Sequence, residues 1–231
     1  MIFKYKDLSH ENWLHSDFKV VVFGGSGGIG GKLVRILARN YDTATLSSKD
    51  VDVVNAEAVK GFMDLHNPDV VINFSGFNHN GFLHKYDTYL EAENLINVNI
   101  WGNIHILTNA LRNMREKGFG RIILASSVLT HKTVVGTSLY AASKSFLDTM
   151  VRVAAVENAR KGITINTLRM GYFDGGLTYK IPSEIRENIK DNIPVGTFGH
   201  IMDLYGLVDC LIENEYITGT NIDINGGLNG L

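Results

Sequence analysis

One cysteine, Cys210, and three prolines are all that a chain of 231 residues has of these two types. A lone cysteine excludes an internal disulfide framework and any zinc site built on several thiolates. No apolar run approaches the roughly 18–20 residues that a membrane-spanning helix needs. Neither sign of charge dominates: 22 basic and 24 acidic side chains leave a formal net charge of −2. A nucleic-acid partner and an acidic disordered tail are therefore not expected. Residues 1–19 mix Lys, Asp, His and Trp, unlike a secretory signal. The eight histidines have no helical metal-ligand spacing with a nearby acid, so no metal is expected. These absences describe a cytoplasmic protein with no membrane, nucleic-acid or metal partner. What is present is a globular composition, 45% hydrophobic, with a surplus of glycine at 24 residues.

Apolar runs of strand length alternate with longer amphipathic stretches. Lys19–Phe23 is β-branched and ends in glycines. Residues 29–40 carry Leu33, Ile36 and Leu37 at helical spacing. Strands are expected at Asp42–Leu46, 69–74, 121–124, 163–168 and 216–224. Helices are expected at 56–65, 90–117, 138–161, 183–190 and 202–213. Parallel neighbours need crossover connections, so this alternation predicts an α/β fold. The expected form is a Rossmann-type doubly wound parallel sheet in a single domain, with helices on both faces. Residues 1–18 form an N-terminal extension in this reading, and 19–231 the domain. Phe3, Tyr5, Trp13 and Leu14 make the extension more apolar than a free tail needs.

The segment VVFGGSGGIGG ends the first strand and opens the first helix. Gly24, Gly28 and Gly30 have the spacing G-x-x-x-G-x-G. Such a turn lets backbone N–H groups and the helix N-terminus approach a pyrophosphate. The competing reading is a tight turn without a ligand. The second strand ends in Ser47, Ser48 and Lys49, where an acid would select a free ribose 2′-hydroxyl. A cation and two hydroxyls suit a 2′-phosphate instead, which favours NADP(H) over NAD(H). Against this stand a merely solvated Lys49 and the nearby Asp50.

Tyr140 and Lys144 are four residues apart and share a helix face. A phenol is a poor base near neutrality, and a close ammonium would bring it into working range. Ser127 closes a strand 13 residues earlier, at the end of the sheet where such folds bind ligands. Asn99 stands inside a predicted helix, where asparagine is unfavourable without a reason such as ordering a water.

Taken in order, these residues resemble the short-chain dehydrogenase/reductases, in their compact single-domain branch. FGGSGGIG matches the cofactor glycine motif. Asp52-Val53 matches the acid and hydrophobe that contact adenine. Asn73-Phe74-Ser75-Gly76 matches the N-x-x-G motif, and Asn99, Ser127, Tyr140 and Lys144 match the catalytic tetrad. Tyr216-Ile217-Thr218-Gly219 and Asn225-Gly226-Gly227 match the final strand region. The resemblance runs from about Lys19 to Gly227. It implies a nicotinamide-dependent oxidoreductase acting on a small-molecule carbonyl/alcohol pair, assembled as a homodimer or homotetramer. Tyr140 would be general acid/base, Ser127 would position the substrate oxygen, Lys144 would lower the tyrosine pKa and bind the nicotinamide ribose, and Asn99 would hold a relay water. Cofactor contacts are implied at Gly24, Ser26, Gly28, Ile29, Gly30, Ser47, Ser48, Lys49, Asp52, Val53, Asn73, Gly76, Tyr140, Lys144 and Gly171.

Some positions depart from the family pattern. Met170-Gly171 replaces Pro-Gly, and Gly175 stands where a threonine commonly follows, with Thr178 as its substitute. The path from the second strand to Asp52 is short. Phe77, Asn78, His79, Asn80, His131, Tyr172 and Phe173 lie near the catalytic strand ends and suit a small polar carbonyl compound. Cys210 is expected in the core beside Leu207 and Leu211. Val151, Ala154 and Ala155 are expected to form an outward patch for helix packing between subunits, with Trp101 as a further packing residue. The alternative function is a dinucleotide-binding regulator without catalysis, which would not need the tetrad. A nucleotide-sugar epimerase would need a second domain. An enoyl reductase would place its tyrosine and lysine further apart.

Overall fold

Val20, Val21 and Val22 are stiff at χ1 and fit a pleated, doubly covered strand, β1 (Lys19–Phe23). They open the computed structural model, which describes residues 18–85 and 89–228. The proposed extension, with Phe3, Tyr5, Trp13 and Leu14, lies almost wholly outside the described residues. β1 leads into α1 (Gly28–Leu37), β2 (Asp42–Leu46), α2 (Ala56–His66) and β3 (Val70–Asn73). The Asn55 side chain caps α2 by accepting from the Ala58 N–H, and Asn67 ends it in a left-handed conformation. Next come α3 (Tyr89–Ile96), α4 (Gly102–Lys117), β4 (Gly120–Ser127), α5 (Ser138–Asn158) and β5 (Ile163–Met170). α6 (Ser183–Asp191), α7 (Ile201–Glu213) and β6 (Asn221–Ile224) complete the series.

The six strands pair in parallel in the order β2-β1-β3-β4-β5-β6. Between β1 and β3 the chain reverses its direction of travel across the sheet, which makes their carboxyl ends the switch-point crevice of a doubly wound fold. One apolar layer, with Met63, Met114, Leu147 and Val151, lies between the sheet and α2, α4 and α5. The other, with Leu33, Leu37, Leu204 and Val208, lies under α1 and α7. No helix among the described residues is long and apolar enough to cross a membrane.

Several boundaries differ from expectation, each for a local reason. The 90–117 stretch is interrupted by a π turn, Asn97–Trp101, which places Asn99 inside a widened backbone loop. β4 continues through Ser126 and Ser127 because β5 pairs with it to Met170. β6 is confined to Asn221–Ile224. The short path after β2 makes β2 the edge of the sheet, since the chain goes straight to α2 where a doubly wound sheet commonly has a further outer strand. Cys210 is exposed, because α7 buries Leu204, Val208, Leu211 and Ile212, and Cys210 falls outside that stripe. Val151 and Ala155 are fully buried against β5 in the first layer, so they form no outward patch. The outward apolar residues of α5 are Phe146, Val153 and Val156.

Candidate active site

The glycine turn lies at the switch point. Gly24 has φ +70°, and a Cβ there would come within 2.6 Å of the Ser75 nitrogen, so the ends of β1 and β3 meet with no room for a side chain. Gly28 packs its backbone directly on Gly176. The first turn of α1 has Gly27 as its N-cap, no side-chain cap and no acidic residue. A helix start of this kind suits a phosphate, through its N–H groups and the positive end of its dipole. Ser26 is exposed on this turn, and Ile29 is half-buried beside Gly176. Lys32, one turn further on, donates to the Asp174 carbonyl at 2.6 Å and ties the segment after β5 to α1.

At the end of β2 the Ser47 backbone N–H and hydroxyl both donate to the Asp50 carboxylate, at 2.8 and 2.5 Å. These bonds hold Asp50 below the usual carboxylate range. The Ser47 hydroxyl is therefore spent on Asp50 rather than available to a phosphate, while Ser48 and Lys49 are exposed. Asp52 is exposed and accepts from the Val54 N–H at 3.0 Å, and Val53 is buried.

Asn73, in the N-x-x-G segment, accepts from the Ser75 N–H at 2.8 Å and donates to Asn103 at 2.8 Å. Asn103 in turn donates to the Asn99 carbonyl at 2.8 Å. The Asn99 side chain is wholly buried and pairs with both backbone groups of Phe77, at 2.8 and 2.9 Å, and donates to Ser143 at 3.1 Å. Its side-chain amide is thus committed to protein partners. Gly76 lies beside Asn99 and Lys144, with room for a Cβ only at 3.7 Å from Asn99 Oδ1 and Lys144 Nζ. The four tetrad positions are consequently brought to one place. Ser127, capping a short helical turn, hydrogen-bonds Tyr140 and accepts from the Leu129 N–H. The Lys144 ammonium lies 5.7 Å from the Tyr140 ring centroid and donates to the Ala125 carbonyl at 2.8 Å. Gly171 donates its N–H to Ile224 at 2.9 Å, beside the Asn225 loop.

Burial pulls the Lys144 pKa down to about 8, with the Asp148 carboxylate opposing that shift. Burial pushes the Tyr140 phenol above its ordinary range, and the hydrogen bond with Ser127 only partly offsets this. The expected depression of the tyrosine by Lys144 is absent: burial sets the direction, Ser127 is the group that opposes it, and the ammonium lies over the ring and donates to the Ala125 carbonyl.

Phe173 is buried in the second apolar layer and lines a cavity beside Tyr172 and Phe198, whereas Asn78, Asn80 and His131 are exposed and His79 is half-buried. Thr178 is buried in a helical turn. A cavity of about 390 Å³ opens between Tyr172, Ile193, Phe198 and Asn225, and none of the tetrad lines it. Sequence reasoning missed Asn103, Ser143, Asp148 and Arg169. Asn103 follows Asn99 by four residues and Asp148 follows Lys144 by four, the same face rule that singled out Tyr140 and Lys144.

A family model described as Enoyl-(Acyl carrier protein) reductase matches residues 17–229. The chain belongs to the short-chain dehydrogenase/reductase family. It is an oxidoreductase of carbonyl and hydroxyl groups that uses a nicotinamide dinucleotide. Nodulation protein G of Azospirillum brasilense is 31% identical over 78% of this chain and 74% of its own length. The 3-oxoacyl-[acyl-carrier-protein] reductase of Homo sapiens is 29% identical over 90% of this chain and 96% of its own. A small-chain dehydrogenase solved in complex with NADPH has the same fold, with a TM-score of 0.83 at 24% identity over 94% of this chain and 100% of that one.

Proposed function

We propose that this enzyme is an NADP(H)-dependent carbonyl reductase in which Tyr140 carries the proton. The observation behind this reading is the meeting of half-buried Tyr140 with buried Ser127 and Lys144 in one cluster at the carboxyl end of β4. The dinucleotide, when bound, supplies the hydride. Gly24, Ser26, Gly28, Ile29 and Gly30 would receive its pyrophosphate, and the uncapped, acid-free start of α1 fits that group. Asp52 and Val53 would border the adenine, and Asn73, Gly76 and Gly171 the nicotinamide side. The preference for NADP(H) rests on Ser48 and on exposed Lys49, beside an Asp50 whose charge is turned back onto Ser47. It is supported by the NADPH complex among the fold's solved relatives.

Tyr140 is protonated at neutral pH and so can serve as the acid; burial raises its phenol further and makes the proton harder to release, which the Lys144 charge would ease. Ser127 holds a substrate oxygen against that phenol. Lys144, charged below about pH 8, orients the nicotinamide ribose and steadies the phenolate left after proton transfer. Asn99, its amide committed to Phe77 and Ser143, holds the segment after Gly76 beside Lys144 instead of ordering a relay water through its side chain. The exposed amides and imidazoles of Asn78, Asn80 and His131 favour a small polar ketone or alcohol. A 3-oxoacyl thioester is the second reading, favoured by the name of the human relative. The four-residue spacing of Tyr140 and Lys144 supports carbonyl rather than enoyl reduction.

Residues 19–231 act as one catalytic domain behind an extension of residues 1–18. The enzyme works in the cytoplasm as a homodimer or homotetramer, through the Phe146, Val153 and Val156 face of α5. The test is nicotinamide absorbance with small polar ketones, a 3-oxoacyl thioester and an enoyl thioester. Tyr140→Phe is expected to lower turnover by about 10²–10⁴-fold. Unchanged turnover in that variant removes the assignment, and activity on the enoyl thioester alone replaces it.

A further inference from the structure

Behind Lys144 lies an ion pair that the tetrad does not include. Asp148 is one helical turn beyond Lys144 on α5, so their side chains share a face. Its side chain is 4% exposed and receives two donors from β5: the Thr167 hydroxyl at 2.8 Å and Arg169 Nε at 2.6 Å. Thr167 and Arg169 alternate along β5 onto the same sheet face, which is the face α5 covers. Lys144 itself reaches the neighbouring strand, at the Ala125 carbonyl. The ion pair fixes the Asp148 carboxylate in place relative to Lys144, and Arg169 adds a second positive charge under the same helix face.

We infer that Asp148 and Arg169 are a positioning pair for this reaction: Asp148 steadies the Lys144 ammonium beneath Tyr140, and Arg169 holds that carboxylate in place while its own positive charge opposes the lysine's. The inference rests on the reading of Tyr140 and Lys144 given above. The groups that bear on Lys144 are few. On its own helix they are Tyr140 and Asp148. β4 offers uncharged Ser127, the π turn uncharged Asn99, and β5 Arg169 alone. Arg121 of β4 is spent on the carbonyls of Gly120, Gly162 and Ile212. Arg115 of α4 bonds Glu157 and Asn158 at the far end of α5. α3, which packs on α5, carries Glu91 and Glu93, and the carboxylate acting on Lys144 is that of Asp148.

Opposite signs follow for two variants. Asp148→Asn removes the carboxylate that acts on Lys144, so Lys144 loses its proton at lower pH. Arg169→Met removes the second positive charge, so the lysine holds its proton to higher pH. Arg169→Lys keeps the second cation and restores the wild-type value. An opposite charge within about 4–6 Å is worth about one pH unit or more. The direct measurement is an NMR titration of Cε-labelled lysines in the protein without added cofactor, with Lys144 assigned from Lys144→Met. The expected result is a Lys144 midpoint about one unit down in Asp148→Asn and about one unit up in Arg169→Met. The alkaline limb of kcat should move the same way, with KM little changed. Midpoints that coincide with wild type, or that move in the same direction in both variants, overturn the inference. Should Asp148→Asn fail to fold, an unmoved or lowered midpoint in Arg169→Met overturns it alone. Turnover surviving in Tyr140→Phe would instead sink the catalytic reading, and the titration does not depend on it.

Discussion

Lys144 is expected to destabilise the fold that it serves. Its side chain is fully enclosed, and burial displaces its pKa from 10.5 to about 8. Each unit of displacement corresponds to 1.36 kcal/mol, so holding the protonated lysine costs the native state about 3 kcal/mol. The sign follows from linkage. A lysine whose folded pKa is depressed opposes folding in full below the folded value, here about 8. The penalty fades as pH rises towards the unfolded value and is gone above it. Lys144→Met removes this term and also strips the Ala125 carbonyl of its donor, which returns about 1–3 kcal/mol of cost. The net change at pH 7 is therefore small, about 0–2 kcal/mol in favour of the variant. The pH dependence of the difference is the sharper quantity, because the orphaned carbonyl does not titrate. Urea unfolding of both proteins at pH 7, 8 and 9.5 should show the variant losing about 2 kcal/mol of relative stability across that range. A difference that stays flat with pH would refute a buried, titrating Lys144.

Lys49→Ala is expected to weaken NADPH binding and leave NADH binding unchanged in fluorescence titrations, while Asp50→Asn weakens neither by breaking contact with cofactor; tighter NADH binding in wild type, unaltered by Lys49→Ala, would remove the proposed preference. For assembly, Val153→Glu together with Val156→Lys should lower the mass measured by light scattering at micromolar concentration to that of one chain, and a wild-type monomer under the same conditions would refute the assembly itself.

Local chemistry alone settled much of this protein. The valine run of β1, the glycines at its end and the alternation of short apolar runs with amphipathic stretches placed the strands, the crossovers and the cofactor turn, because side-chain periodicity and glycine's missing Cβ act within a few residues. The pairing of Tyr140 with Lys144 was legible for the same reason, as a consequence of helical pitch. Other features depended on what lies across space. Asn99 looked like a poor helix residue, and only the packing of the Phe77 segment and Ser143 against it shows why a π turn holds it. Val151 and Ala155 read as a small-residue patch, yet the fold turns them inward under the sheet and leaves Phe146, Val153 and Val156 outside. Cys210 read as core and faces solvent, since α7 buries a stripe one residue away. Ser47 read as a phosphate donor, but the turn closes its hydroxyl onto Asp50. The pKa values of Lys144 and Tyr140 could not come from spacing either: spacing supplies the neighbour, whereas desolvation is a property of the whole enclosure, and here the enclosure decides the direction of both.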